Sequence, residues 1–302
     1  MVLDTWMLAG SVAKLLSLMA AAGVIGGSFS LGLAQRLDIG WQPALENYLL
    51  ISAVTGLLAT ALFFLIQVGA INQSGIRGML DTQMASIIGQ SGLGSAAGLR
   101  VLGFCSVLPA WYLLRQRSAS SGLIYGSASF LLIFVAVSLL CTSFALTGHT
   151  STLALPVRAA IALHVLAAFL WVGSLYPLLS MSTTADLPRV QRLMRSFGTS
   201  ALLIVAVLLL SGIFMLTQLL HSFAELTATD YGQVLLLKLT GVSALLALAG
   251  INKLLLVPQL TAGNSAGKLR ASIRMEITVA LFILAVTTWL TSALGPSALQ
   301  GS

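Results

Sequence analysis

The sequence predicts an all-α fold: a polytopic integral membrane bundle of about eight transmembrane helices, treated as one transmembrane domain over 1–302. Three observations predict it. Hydrophobic residues fill 58% of the 302 positions. Charged residues fill only 8%, against roughly 25% in soluble domains. The apolar residues also gather into runs of the length that crosses a bilayer, about 20 residues per helix. So little charge cannot cover a water-facing surface, so lipid must replace water over most of it.

Eight runs qualify: about 11–34, 47–68, 94–115, 123–146, 157–181, 197–220, 232–256 and 273–294. Span 1 resembles the apolar region of a signal peptide between Leu15 and Leu33. No basic stretch precedes it, Asp4 is acidic and the run is long, so a retained helix is expected. Span 2 is followed by the longest connection, 69–93, which carries Met79, Met84 and the pair Ile87-Ile88. It reads either as a short interfacial helix or as a plain connector. Span 3 carries Arg100 and Cys105, and span 4 carries Cys141. Span 5 carries His164 and, seven residues on, Trp171 on the same face, followed by Gly173. Span 6 carries Met215 and ends near His221. Span 7 carries Lys238 and closes at Asn252-Lys253. Span 8 completes the even count, which puts both termini on one side.

Several classes of function are excluded. No connection is long enough for a soluble catalytic domain, which removes a receptor, an ATPase and a fused cytosolic enzyme. There is no GxxxxGK[ST] phosphate loop, and no enzyme activity is expected. The continuous apolar runs argue against a β-barrel, whose strands alternate. The net charge of +7 reads as loop anchoring rather than as nucleic-acid binding. The two cysteines lie inside spans and are too few for a disulfide scaffold.

The basic residues orient the bundle. Connections after spans 1, 3, 5 and 7 hold Arg36, Arg115, Arg117, Arg189, Arg192, Arg195, Lys253, Lys268, Arg270 and Arg274. The other side holds only Lys14, Arg77, Arg100, Arg158 and Lys238. The positive-inside rule then places the first group in the cytoplasm and both termini in the periplasm. Lys14, Arg100 and Lys238 fall within runs, toward the outer face. They either snorkel to the interface along their aliphatic stems or face the bundle interior, the reading favoured for Lys238.

The same topology gathers the three histidines into one leaflet. His149 follows span 4 at the outer face. His164 lies roughly 10 Å below the start of span 5 at about 1.5 Å per residue. His221 ends span 6. Met215 shares that leaflet but points to a different side of its helix from His221. Imidazole and thioether ligands suit copper, the thioether favouring Cu(I); two histidines on neighbouring helices also suit haem iron. Each of these residues also has a plain reading as packing. Trp171 and Gly173 read as bundle packing or close helix approach. Asn252 reads as a helix cap.

At this point the residues resemble a known family. Thr147-Gly148-His149, Ala162 through Gly173, Arg195-Ser196-Phe197 through Ser211-Gly212, Tyr231 through Lys238, Asn252-Lys253, Val257-Pro258 and Met275-Glu276 resemble the CopD (copper resistance protein D) family. The clear resemblance covers about 145–296. Residues 1–144 are less family-like, matching through Lys14, Gly26, Gln67 and Arg100. The resemblance implies an eight-helix protein of the bacterial inner membrane in copper homeostasis and resistance. It implies copper moving from periplasm to cytoplasm, often beside a CopC-type periplasmic copper-binding partner. One departure stands out. Family members often carry a histidine three positions after the basic residue of span 1, where this chain has Ser17; either that ligand is lost here or Met19 or Met7 replaces it.

The leading expectation is therefore copper uptake through an outer-leaflet site at His149 and His164, with Met215 or His221 as third ligand. The copper oxidation state, Cu(I) or Cu(II), stays open. Soft ligands for a conduit would be Cys141, Cys105 and Met19, and weak, separated ligands would permit exit. Cys141 lies about 80° around the helix from His149 at 3.6 residues per turn. Lys14, Arg100, Trp171, Lys238 and Asn252 would support the site. The alternatives are a b-type haem redox protein and a membrane scaffold for a periplasmic copper chaperone.

Overall fold

The computed structural model describes residues 5–38, 41–73, 75–119, 123–146, 153–184, 186–219, 224–261 and 265–293. Among the described residues all regular structure is helical: α1 (Thr5–Arg36), α2 (Gln42–Asn72), α3 (Thr82–Gly89), α4 (Gly92–Ala119), α5 (Leu123–Ala145), α6 (Leu155–Met181), α7 (Leu187–Leu219), α8 (Glu225–Ala228), α9 (Asp230–Ile251) and α10 (Ser265–Ala293). A 3₁₀ turn, Ile76–Leu80, precedes α3, and a π turn, Asn252–Leu256, continues α9. Eight of these elements are long and apolar enough to cross a membrane: α1, α2, α4, α5, α6, α7, α9 with its π turn, and α10. Each contains one of the eight apolar runs or most of it.

Two helices begin well before their apolar runs, and side-chain period explains why. At the start of α7, Val190, Leu193, Met194 and Phe197 are buried, while Arg189, Arg192 and Arg195 are exposed. That is the i, i+3, i+4, i+7 stripe of an amphipathic helix. At the start of α10, Leu269, Ile273, Glu276 and Ala280 form the buried face and Lys268 and Arg274 are exposed. Basic connections of the sequence are thus partly helix.

The connection 69–93 is structured by its acid. Asp81 is the N-cap of α3, its Oδ1 accepting from the backbone N–H groups of Gln83 and Met84 at 2.9 Å each. Such a cap supplies acceptors to otherwise unpaired first-turn donors. Asn72 Nδ2 donates to the other carboxylate oxygen at 3.0 Å. The Met84 N–H first, then the Asn72 amide, hold this carboxyl below the ordinary aspartate range, against a smaller opposing effect of desolvation.

The chain divides into two compact units, residues 1–25 with 46–166, and 26–45 with 167–302. In the first, Phe104 is fully buried against α2, where a methyl group at Gly56 would run into its ring. Ser17 and Thr60 share a buried hydrogen bond of 3.1 Å between α1 and α2. Gly103 lets α4 approach α5, since a Cβ there would already lie 3.0 Å from Leu140 Cγ.

In the second unit, Gly26 and Gly173 meet. A Cβ on Gly26 would lie 2.5 Å from Gly173 Cα and closer to the Gly173 carbonyl carbon and the Ser174 nitrogen. Ser174 Oγ donates to the Gly26 carbonyl at 3.1 Å. Small residues at such a contact let helix backbones approach closely in a membrane. Trp171, two residues before Gly173, is 2% exposed. Gln191 Nε2 donates to the carbonyls of Val257 and Pro258 at 2.8 and 3.1 Å, adding a side-chain donor at a helix end where Val257 also accepts from the Leu260 N–H at 3.3 Å.

Candidate functional site

His164 is the one described histidine. It is half-buried on α6, about 13 Å along from Leu155 at the usual rise per residue. His149 and His221, with the motif residues Thr147 and Gly148, lie outside the described residues. Met215 is half-buried on α7 and belongs to the second unit, whereas His164 belongs to the first. Among the described residues no three His, Cys, Asp or Glu side chains converge as a metal group.

The soft residues proposed for a conduit differ in placement. Cys141 is buried on α5, at 7% exposure. Cys105 is exposed on α4, and Met19 is 39% exposed on α1. In the arrangement described, those two side chains line the outside of the fold and Cys141 its inside. The helical period is the reason: Met19 follows the buried pair Ser17 and Leu18, and Cys105 follows the buried Phe104.

Lys14 and Arg100 of the first unit form a polar centre within the spans. Arg100 is 5% exposed, so it faces inward and does not snorkel. Its Nε donates to Ser143 Oγ at 3.1 Å, and its guanidinium carbon lies 4.2 Å from the Phe144 ring centroid. A hydroxyl and an aromatic face together replace part of the water such an ion loses. Ser143 Oγ in turn donates to the Leu140 carbonyl at 2.6 Å. Lys14, half-buried on α1, is near enough to feel the charge of Arg100. At the opposite end of α4, Arg115 lies 4.0 Å from the buried Glu46 and bonds Asn47 Oδ1 at 2.6 Å. It also packs over Trp111, its guanidinium carbon 4.7 Å from the ring centroid.

The second unit holds Lys238, half-buried on α9, and Asn252. Asn252 closes α9 as expected, its backbone N–H donating to the carbonyls of Leu248 and Ala249. From there the chain widens into the π turn, with Val257 N–H donating to the Asn252 carbonyl at 2.9 Å. The Asn252 side chain instead crosses to α10, where Nδ2 donates to Glu276 Oε1 at 2.7 Å in a buried bond. Lys253 Nζ donates to the Gly198 carbonyl on α7 at 2.8 Å. Glu276 was visible in the sequence only as half of the Met275-Glu276 pair. An acid inside an apolar run was the signal that could have singled it out.

Two family models match the chain. One, Copper resistance protein D-like, N-terminal domain, matches residues 2–154. The other, Copper resistance protein D, matches residues 191–290. The first four spans, which resembled the family loosely, thus carry a match of their own. Nothing among curated proteins or solved structures matches the chain. With family matches over both parts of a chain that has eight membrane-crossing helices, the protein belongs to the copper resistance protein D family of membrane proteins.

Proposed function

We propose that this protein carries copper from the periplasm to the cytoplasm across the bacterial inner membrane. The observation that carries the reading is the pair of copper-resistance family matches laid over eight spans. Copper is the cargo here, and His149 with His164 forms its entry site, joined by Met215 or His221. The asymmetry of basic residues supports an outward-facing position for these histidines. Half-burial of His164 near the start of α6 suits a ligand that an ion reaches from one face. Imidazole is a good ligand for copper in either oxidation state, and a thioether selects Cu(I). A periplasmic copper-binding protein of the CopC type would deliver the ion. The protein transports and catalyses no reaction.

Copper accumulation in cells expressing the protein tests the reading. The double variant His149→Ala, His164→Ala is expected to bring accumulation down to that of cells without the protein. Unchanged accumulation removes the site assignment. Copper flux into liposomes containing this protein alone separates a transporter from a scaffold. A Soret band in the purified protein would replace copper transport with haem chemistry.

A further inference from the structure

The buried face of α10 runs Leu269, Ile273, Glu276, Ala280. Three of those positions are apolar and the fourth is an acid at 4% exposure. An ionisable group placed so, about 16 Å from the start of α10 at the usual rise, is costly in a membrane and marks function by default. Its partner is an amide, not a cation. Among the described residues, the ion pairs are Arg115–Glu46 and Arg189–Asp186, and neither involves Glu276.

The charged groups on the elements packed here are accounted for. Lys253, next to Asn252 in the π turn, is committed to the Gly198 carbonyl. On α10, Arg270 is half-buried and Lys268 and Arg274 are exposed; on α7, Arg189, Arg192 and Arg195 are exposed, Arg189 pairing with Asp186; on α9, Asp230 is exposed. Lys238 lies fourteen residues before Asn252 on α9, roughly 21 Å along the axis. None of them reaches Glu276 within ion-pair distance among the described residues.

The amide supplies the decisive detail. Asn252 is 9% exposed, and its Oδ1 is buried with no hydrogen-bond partner among the described residues. An ionised carboxylate only accepts, whereas a carboxylic acid also donates one O–H. A proton on Glu276 therefore gives the neighbouring side chain the donor that the buried oxygen lacks. Acid and amide then form a reciprocal pair: Asn252 Nδ2–H to one carboxyl oxygen, and the carboxyl O–H to Asn252 Oδ1. Turning the amide over would put its oxygen against the carboxyl, which requires the proton equally. Ser272, one turn before Glu276 on the same helix, also has a buried Oγ without a partner among the described residues. The pair sits at a π turn, a local distortion common at functional sites.

We infer that Asn252 and Glu276 form a proton-binding site whose uptake and release of a proton accompany copper movement. Release breaks the Glu276 O–H bond, leaves its electron pair on the carboxylate and passes the proton to water. Uptake is the reverse, and nothing is oxidised or reduced. The link to copper rests on the transport reading above; the proton site does not.

Infrared difference spectroscopy on the full chain in liposomes, titrated with pH, tests the site directly. The expected result is a protonated-carboxyl C=O band that shifts in heavy water, disappears on titration and is missing in Glu276→Gln. Asn252→Leu is expected to move the midpoint of that band by at least about one pH unit, a tenfold change in proton affinity. Should Glu276→Gln fail to fold, Glu276→Asp must displace the band. A titration in which no band depends on residue 276 overturns the proton site. A pH-sensitive dye inside copper-challenged liposomes tests the link. Proton movement with copper in the wild type and none in Glu276→Gln supports it; copper movement without protons overturns it. No copper movement at all would overturn the transport reading, and the infrared result would still decide the site.

Discussion

Replacing Gly26 by alanine is the sharpest test of how the second unit is packed. The added methyl group would lie 2.5 Å from Gly173 Cα, where ordinary contact begins at 3.4 Å. The shortfall at that atom is about 0.9 Å and is larger at the Gly173 carbonyl carbon and the Ser174 nitrogen, and the atoms in the way belong to backbone, so no side-chain rotation relieves it. The two helix segments must separate by a comparable amount. Overpacking of this kind costs roughly 1–3 kcal/mol. Separation also stretches the Ser174–Gly26 hydrogen bond, now 3.1 Å, a bond of the type that averages about 0.6 kcal/mol within membranes. Against this, alanine is favoured over glycine in a helix by up to about 1 kcal/mol. The balance is a loss of roughly 1–3 kcal/mol.

Gly32 supplies the control, six residues along the same helix. A Cβ there meets nothing within 4 Å, so Gly32→Ala should be neutral or stabilising by up to about 1 kcal/mol. Thermal unfolding of wild type and both variants in one detergent reads the difference. If Gly26→Ala unfolds at or above the temperature of Gly32→Ala, the close-packing account is refuted.

Three further outcomes follow from single contacts. Arg100→Lys should destabilise by about 1–2 kcal/mol, because an ammonium cannot reproduce both the bond to Ser143 and the planar stacking on Phe144; an unfolding curve unchanged from wild type would show that neither contact matters. Gln191→Leu should cost about 1 kcal/mol by removing the side-chain donor shared by the Val257 and Pro258 carbonyls, read as faster amide exchange at the end of the π turn. The Asp81 carboxyl titrates lower in the folded chain than in the unfolded one. Its support of α3 is therefore complete above the unfolded value of about 3.9 and is lost as pH falls through the folded value. Amide protection in 82–89, taken relative to the intrinsic exchange rate at each pH, should fall across that acid window in wild type and stay unchanged in Asp81→Asn.

How much of this was legible depended on the kind of signal. The eight spans were readable because length and apolarity are properties of consecutive residues. The early starts of α7 and α10 were hidden by their charge: Arg189, Arg192 and Arg195 look like loop anchors until the buried stripe Val190, Leu193, Met194, Phe197 is set against them. The family resemblance was readable from motif order over 145–296, of which the family model matches 191–290, and the match over 2–154 extends it toward the amino terminus. Asn252 was legible as the residue that closes α9, but its side-chain partner Glu276 was not. A cap and a cross-helix partner look alike in sequence, since both are an amide near a helix end.

By itself, then, the sequence determined the membrane class, the number of spans and the family. Each follows from composition, run length or motif order, none of which depends on how helices rotate about their axes. Only the tertiary structure decided which polar groups meet. Arg100 finds Ser143 across 43 positions, and Asn252 finds Glu276 across 24. It also turned Cys141 inward and Met19 and Cys105 outward. Those outcomes are set by helix rotation and by close approaches such as Gly26 on Gly173. In lipid, where apolar burial does not distinguish one face from another, packing and hydrogen bonding make that choice.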